Sequence, residues 1–482
     1  MLSILLILLP LLIAFVVYVS KSEAAKKIAL AGSFMQLMLT IVAAVLFSYH
    51  PQHALMHIQQ DWIGPLGMTY NFGLDGISLM MVLLSGICLP LIVYASFNRT
   101  FKASNQYYAL MYLMIAGMNG AFITADGLMF YICYEFALLP IYFMILHWSQ
   151  HEQKAKITLK FFLYTLFGSL FMLLSLLYLY SHSQSFALAD LYAAGQRLNT
   201  TEQGLIFGGF MLAFAVKIPI FPLHTWQPST YDAAPTSGTM LLGGIMLKMA
   251  TYGIIRLVLP TVPDGVETYG SIALIFCGIS VVYASIMAIA QKRYKLLIAY
   301  SSVAHVGLLA AGILSGNAQG IQGGMIEMLS HGILTIGLFF VYDILEDRYG
   351  HDRFNEMGGI RHMHPTFAFL FFAIVMGSVA LPGTSGFVGE FLLLIGLYQV
   401  NPIWTAVAGL TVVLGAVYML RSFQQMMLGD ANVTTSKFTS LTRHESIILI
   451  SIVILVILLG VYPAPLMQLS EPTILNLLSS IH

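Results

Sequence analysis

The run GLIFGGFMLAFAVKIPIFP, residues 204–222, is apolar enough to cross a bilayer, yet it contains Lys217, Pro219 and Pro222. A proline inside a helix removes one hydrogen bond and frees the carbonyl four residues earlier. Lipid offers that carbonyl no partner, so such a break must face protein or a water-filled cavity. A charged group at the centre of a span costs roughly 2.5–3.5 kcal/mol on insertion scales. The run therefore reads as a broken helix inside a membrane bundle, with an ionisable group at the break.

The rest of the chain agrees. Of 482 residues, 58% are hydrophobic and only 9% charged, with a formal net charge of zero; mean hydropathy is +0.84 and pI about 7.2. Soluble domains carry roughly 25% charged residues, so a soluble fold is excluded, as is nucleic acid as the main partner. Cys88, Cys133 and Cys277 stand alone in apolar stretches, without the spacing of iron–sulfur, zinc or disulfide sites. No glycine-rich nucleotide motif occurs either. Any redox or nucleotide chemistry is expected on other subunits.

A span needs about 20 mostly apolar residues. About fourteen candidates follow: 2–20, 28–48, 76–97, 107–124, 126–147, 158–180, 204–222, 235–258, 268–290, 295–316, 320–345, 366–398, 402–424 and 445–463. The first lacks the basic start and cleavage site of a signal peptide and is kept as a helix. Seventeen Lys and Arg lie in or beside odd-numbered connections, against Arg197 and Arg256 beside even-numbered ones. By the positive-inside rule the odd connections face the cytoplasm, which puts both termini on the outer side.

Lys217 and Lys248 are the two basic residues inside spans, and Glu135, Glu327, Glu390, His305 and His331 share that depth. A lone buried histidine or glutamate is most often a packing feature. Seven such groups on six spans suit a proton relay, since each exists protonated or not and burial disfavours the charged form. A second span is broken like the first: Leu381-Pro382-Gly383 interrupts 366–398, ahead of Gly386, Gly389 and Glu390. Paired broken spans mark the transport site of repeat-built transporters. The breaks fall on spans seven and twelve, the fourth place in each of two five-helix sets, 4–8 and 9–13, and an odd number of spans per set makes the repeats inverted. The expected fold is all-α and polytopic. Helices 1–3 occupy 1–106, the first repeat 107–258, the second repeat 259–424, and helix 14 with a short tail 425–482.

Several segments carry a more specific signal. They are Tyr134-Glu135 through Leu139-Pro140, Val216-Lys217-Ile218-Pro219 with Pro222-Leu223-His224-Thr225-Trp226, Ala234-Pro235-Thr236 and Leu247-Lys248. Ala299 to His305, Leu329-Ser330-His331-Gly332, and Leu381-Pro382-Gly383 with Gly389-Glu390-Phe391 complete the set, in order from about 75 to 425. Together they resemble the antiporter-like proton channel family. Its members include large subunits of respiratory NADH–quinone oxidoreductase (complex I), Mrp-type sodium/proton antiporter subunits and membrane hydrogenase subunits. Glu390, where subunits L and N and Mrp homologues usually have lysine, and the short segment after the fourteenth span resemble the subunit M (chain 4) branch.

The resemblance implies that Glu135 pairs with Lys217, that Lys248, His305 and His331 carry protons laterally, and that Glu390 ends the relay. Glu327 departs from the family pattern, where a neutral residue such as glutamine is usual, so its role is not inherited. The resemblance also implies NADH, FMN, iron–sulfur clusters and quinone on partner subunits, with none of them on this chain. Expected partners are other complex I membrane subunits, especially L and N types, and the lipid bilayer, with a bacterial inner-membrane location. Competing readings are an Mrp-type or hydrogenase subunit and a scaffold that does not pump.

Spacing adds one expectation: Glu327 and His331, four residues apart, share a helix face and can pair. His224, at the edge of the first break, suits proton uptake or a structural cap equally. The Met240–Met249 stretch reads as core filler, His50, His53 and His57 do not form a convincing metal group, and 464–482 is expected along the outer surface.

Overall fold

Polar residues at the ends of the apolar runs start the helices. Asp75, Asp126, Asn199, Asn317, Asn401 and Thr442 each cap a first turn with a side-chain oxygen. Such caps satisfy N–H groups that have no partner within the helix. Asp75, Asn199 and Thr442 form reciprocal boxes with Ser78, Glu202 and Glu445.

The computed structural model describes residues 2–49, 57–63, 68–431, 435 and 438–481. The first helices are α1 (Leu2–Val19), α2 (Ser22–Tyr49), α3 (Gly76–Ala95), α4 (Ser104–Ile123), α5 (Gly127–Phe136), α6 (Leu138–Trp148) and α7 (Lys154–Ser183). Next come α8 (Leu188–Gln196), α9 (Thr200–Lys217), α10 (Gln227–Ala233), α11 (Thr236–Leu241), α12 (Lys248–Gly253), α13 (Pro263–Ala290) and α14 (Tyr294–Leu314). The last are α15 (Ala318–Tyr349), α16 (Ile360–Met363), α17 (Pro365–Ser378), α18 (Ser385–Val400), α19 (Pro402–Met427), α20 (Arg443–Val461) and α21 (Ala464–Ser479).

Among the described residues, eleven helices are long and apolar enough to cross a membrane, counting α5–α6 and Thr236–Val258 as one each. The other three expected spans fall on α4, α9 and the pair α17–α18. The apolar window of α15 is 100% buried, against 33% for α1 and α2. The chain itself leaves most of α1 and α2 uncovered, while α15 is enclosed by other helices and is free to carry polar side chains.

Contacts between connections sort them into two ends of the bundle. At one end Lys26 donates to the carbonyls of Phe97 and Arg99, Trp148 to Lys102, and Ser149 to Ala233. Arg293 joins Asp232 to Asp352, and Arg348 reaches Thr439. At the other end Ala125 donates to Asn71, Gly127 to Phe186, and Gln196 to Pro260 and Ser480. Gly76 donates to Thr473, and Asn317 to Gly396. The first set comes from odd-numbered connections and the second from even-numbered ones, as alternating helices require.

The structure adds to the sequence reading in four places. His57–Ile63 and Met68–Gly73 form a small antiparallel hairpin in a connection of the otherwise helical, all-α bundle. The fifth expected span is interrupted at Ala137 between α5 and α6, three residues before Pro140. The eighth holds two π-helical turns, Leu242–Met246 and Ile254–Val258. The tail is a helix, α21, packed against α3 and α15 with Gln322 donating to Ser470. His50 and His53 lie outside the described residues.

Candidate functional site

The first break follows from its prolines. Pro219 has no N–H, and α9 ends at Lys217. Ile218 N–H makes the last regular bond, to Phe214; beyond it the loosened carbonyls find other donors, Ala215 from Ile220 N–H and Val216 from the Trp226 indole at 2.8 Å. Val379, Leu381 and Thr384 repeat the pattern of Ile218, Ile220 and Leu223 at the second break, donating to Val375, Met376 and Leu381. The two interruptions are therefore built alike.

Lys217 is buried. Its ammonium donates to the Tyr134 carbonyl at 3.0 Å and lies 3.4 Å from the Tyr134 ring centroid. Glu135 stands within electrostatic range of Lys217 and near Ser169, but the expected ion contact is not made. Glu135 Oε1 has no partner. The interruption at Ala137 explains this: it presents a backbone acceptor at the place where the ammonium would otherwise meet the carboxylate.

Lys248 lies between the two π-helical turns. In the first, Leu247 N–H bonds to Leu242, five residues back, rather than to Gly243. The released Gly243 carbonyl accepts from Lys248 Nζ at 2.5 Å. Nζ also lies 2.8 Å from His331 Nδ1, which Thr335 Oγ1 approaches at 3.3 Å. With the lysine charged, Nδ1 is the acceptor and Nε2 carries the imidazole proton. A Cβ at position 332 would stand 2.7 Å from the Gly244 carbonyl, so Gly332 lets α15 come close enough for His331 to reach Lys248.

From His331 the polar chain continues across α14. The His331 and His305 rings are 6.1 Å apart between centroids. His305 Nδ1 is 2.8 Å from Glu390 Oε1, and its Nε2 is 3.4 Å from the Tyr418 hydroxyl, which accepts from Ser301 at 3.1 Å. This sequence of donors places the His305 proton on Nδ1, facing the carboxylate. His305, Glu327, His331 and Glu390 line one internal cavity with Ser301 and Ser302, which offers ≈ 20 Å³ to water centres, room for about one water molecule.

Glu327 does not pair with His331, contrary to the expectation from spacing. His331 is held by Lys248, and Glu327 points instead to the group around Glu390. One donor atom each from His305, Glu327 and Glu390 lie within 4.8 Å of one another. As a metal site this trio would supply three ligands, with His305 already hydrogen-bonded to Glu390. His224 is buried in the first break with Nδ1 unpartnered, 5.7 Å from the Phe221 ring and 5.0 Å from that of Tyr283. Among the described residues no hydrogen bond links it to Lys217, and none links Lys217 to Lys248.

Sequence reasoning missed several participants. The Tyr134 and Gly243 carbonyls are backbone acceptors with no sequence signature. Tyr418 is one of 25 tyrosines. Lys295, counted as a loop charge, is buried at the start of α14 and donates to the Asp232 and Ala234 carbonyls at 3.0 and 3.1 Å. Arg256 pairs with Asp75, the cap of α3.

A family model described as NADH:quinone oxidoreductase/Mrp antiporter, transmembrane, matches residues 124–416. The NADH-quinone oxidoreductase subunit M of Rickettsia conorii is 36% identical over 482 residues, covering 98% of this chain and 97% of that protein. The chain belongs to the NADH:quinone oxidoreductase/Mrp antiporter family, on its subunit M branch. Within that family, a chain of respiratory complex I from Thermus thermophilus with bound NADH superposes with TM-score 0.92 at 29% identity, each chain covered over 100% of its length. A chain of the Mrp complex from Dietzia sp. shares the fold, with TM-score 0.87 at 20% identity over 100% of this chain and 98% of that one. Relatives on this branch are membrane subunits of multi-subunit complexes, which agrees with the apolar bundle and its buried charges.

Proposed function

We propose that this chain translocates protons as a membrane subunit of an NADH:quinone oxidoreductase, through a relay of Glu135, Lys217, Lys248, His331, His305 and Glu390. The observation that carries the reading is the pair of 2.8 Å contacts, Lys248 to His331 and His305 to Glu390, with the two imidazoles 6.1 Å apart. Cation, two imidazoles and carboxylate lie in succession in an interior with room for about one water. Each can take up a proton from one side and release it to the other.

Glu135 and Lys217 form the switch at the start. With the ammonium on the Tyr134 carbonyl and Glu135 Oε1 free, the pair stands open. At 4 Å the attraction would total about 4 kcal/mol at an effective dielectric near 20; part of it is already felt at the open separation, so closing strengthens Lys217's hold on its proton by less than about a thousandfold. A motion of a few ångströms would then convert holding into release. His224, with its free Nδ1 in the same break, suits proton uptake.

Quinone reduction in partner subunits drives the cycle in this reading, with NADH, FMN and iron–sulfur clusters bound there and not here. Neighbouring antiporter-like subunits of the L and N types flank the chain in a bacterial inner membrane, with both termini on the outer side. The test is Lys217→Ala in the intact complex, reconstituted in vesicles. Loss of NADH-driven proton transfer with assembly retained is expected; unchanged transfer would make the chain a scaffold.

A further inference from the structure

Glu327 is a buried carboxylate beside the relay that the relay does not use. It is 2% exposed, and its Oε2 has no partner. Glu390, 3% exposed, keeps Oε1 on His305 and leaves its own Oε2 unpartnered. Both carboxylates line the cavity that also holds the unpartnered Ser302 hydroxyl. The backbone is shaped for their approach: a Cβ at position 389 would lie 2.5 Å from Glu327 Oε2 and 2.7 Å from its Cβ, so α18 passes Glu327 at a glycine.

We propose that Glu327 and Glu390 act as one carboxyl pair that holds a shared proton, making Glu327 a second proton-carrying group at the end of the relay. This rests on the relay reading above. Two carboxylates with oxygens within 4.8 Å in a buried cavity repel strongly when both are charged, and one proton held between them, directly or through the one water the cavity has room for, relieves that repulsion. The groups facing the pair are His305 on α14, His331 on α15, Lys248 on α12 and Tyr418 on α19. Lys248 is already engaged by Gly243 and His331, so it does not neutralise the second carboxylate by direct contact. In the arriving step the Nδ1–H bond of a His305 imidazolium breaks and an O–H bond forms on Glu390, leaving neutral imidazole and a pair with two protons. Release of one proton to a water in the adjoining cavity restores the shared state.

Infrared difference spectroscopy of the intact complex in vesicles reads this without reference to pumping. The wild type should show the C=O stretch of one protonated, strongly hydrogen-bonded carboxyl that shifts in deuterated water. Glu327→Gln and Glu390→Gln should each abolish it, and the double variant should lose no more than either single one. Glu327→Asp, which keeps the acid on a shorter arm, should retain the band at a shifted position. A band that survives Glu390→Gln, additive losses from two separate acids, or a band displaced by millimolar sodium would each overturn the pair. If the band behaves as expected while Lys217→Ala leaves proton transfer intact, the pair stands and the relay reading falls. The opposite result leaves the relay without a shared-proton terminus.

Discussion

Replacing Lys248 by arginine keeps a cation in place and removes its ability to let go of a proton. Lys248 Nζ is 2.8 Å from His331 Nδ1. A permanent charge at that distance opposes protonation of the imidazole by about 6 kcal/mol at an effective dielectric near 20, or about four decades in occupancy. In the proposed relay this opposition disappears when the lysine hands over its proton, because transfer leaves a neutral amine beside an imidazolium. A guanidinium is effectively never deprotonated, so the repulsion persists and the donor is lost. Lys248→Arg complexes should assemble and show no measurable proton transfer through this subunit, with NADH oxidation slowed through coupling. The assay is acidification of reconstituted vesicles, normalised to NADH:quinone turnover and to the amount of assembled complex. Wild-type pumping by the arginine variant would refute the reasoning.

Two predictions concern the ends of the bundle. Glu445 takes a two-point ion pair from Arg348 at 3.0 and 2.7 Å, with the Arg348 and Glu445 side chains only 5% and 2% exposed; Glu445→Gln should cost about 3–5 kcal/mol, as for a broken buried pair, and an unchanged midpoint for thermal dissociation of the purified complex would contradict this. Burial pushes the Asp75 carboxyl up, but Arg256 and the Ser78 cap outweigh it and hold the group below the ordinary carboxylate range. Its contribution is therefore full above about pH 4 and is lost only as pH falls through the lower folded value. Asp75→Asn should destabilise by about 1–3 kcal/mol, the figure for a broken buried pair reduced for an Asp75 side chain 34% exposed; the deficit should be the same at pH 7 and pH 5, and one that already shrinks at pH 5 would oppose the sign.

The residues of the site were legible because lipid makes them conspicuous. Lys217, Lys248, Glu135, Glu327 and Glu390 stood out as charges at membrane depth, and Pro219 and Pro382 marked the breaks, since neither feature is tolerated against hydrocarbon. The partnerships were not legible. Spacing alone puts Glu327 and His331 on one face, yet the helix opposite is wound into a π turn that frees the Gly243 carbonyl and aims Lys248 at His331. The family resemblance implied Glu135 for Lys217, but the structure offers the Tyr134 carbonyl, an acceptor every residue possesses. The hairpin was hidden for a related reason: His57–Ile63 runs His-Ile-Gln-Gln-Asp-Trp-Ile, which breaks the alternation by which a half-buried strand is recognised.

The proposed relay ends at Glu390, so the most direct measurement is protons moved per NADH oxidised by the intact complex carrying Glu390→Gln. The amide keeps the shape of the side chain and can still accept from His305 Nδ1, but it cannot take up the proton. A lowered ratio, with Glu390→Asp partly restoring it, is what a relay ending at this carboxylate predicts. A full wild-type ratio with glutamine at this position would contradict it.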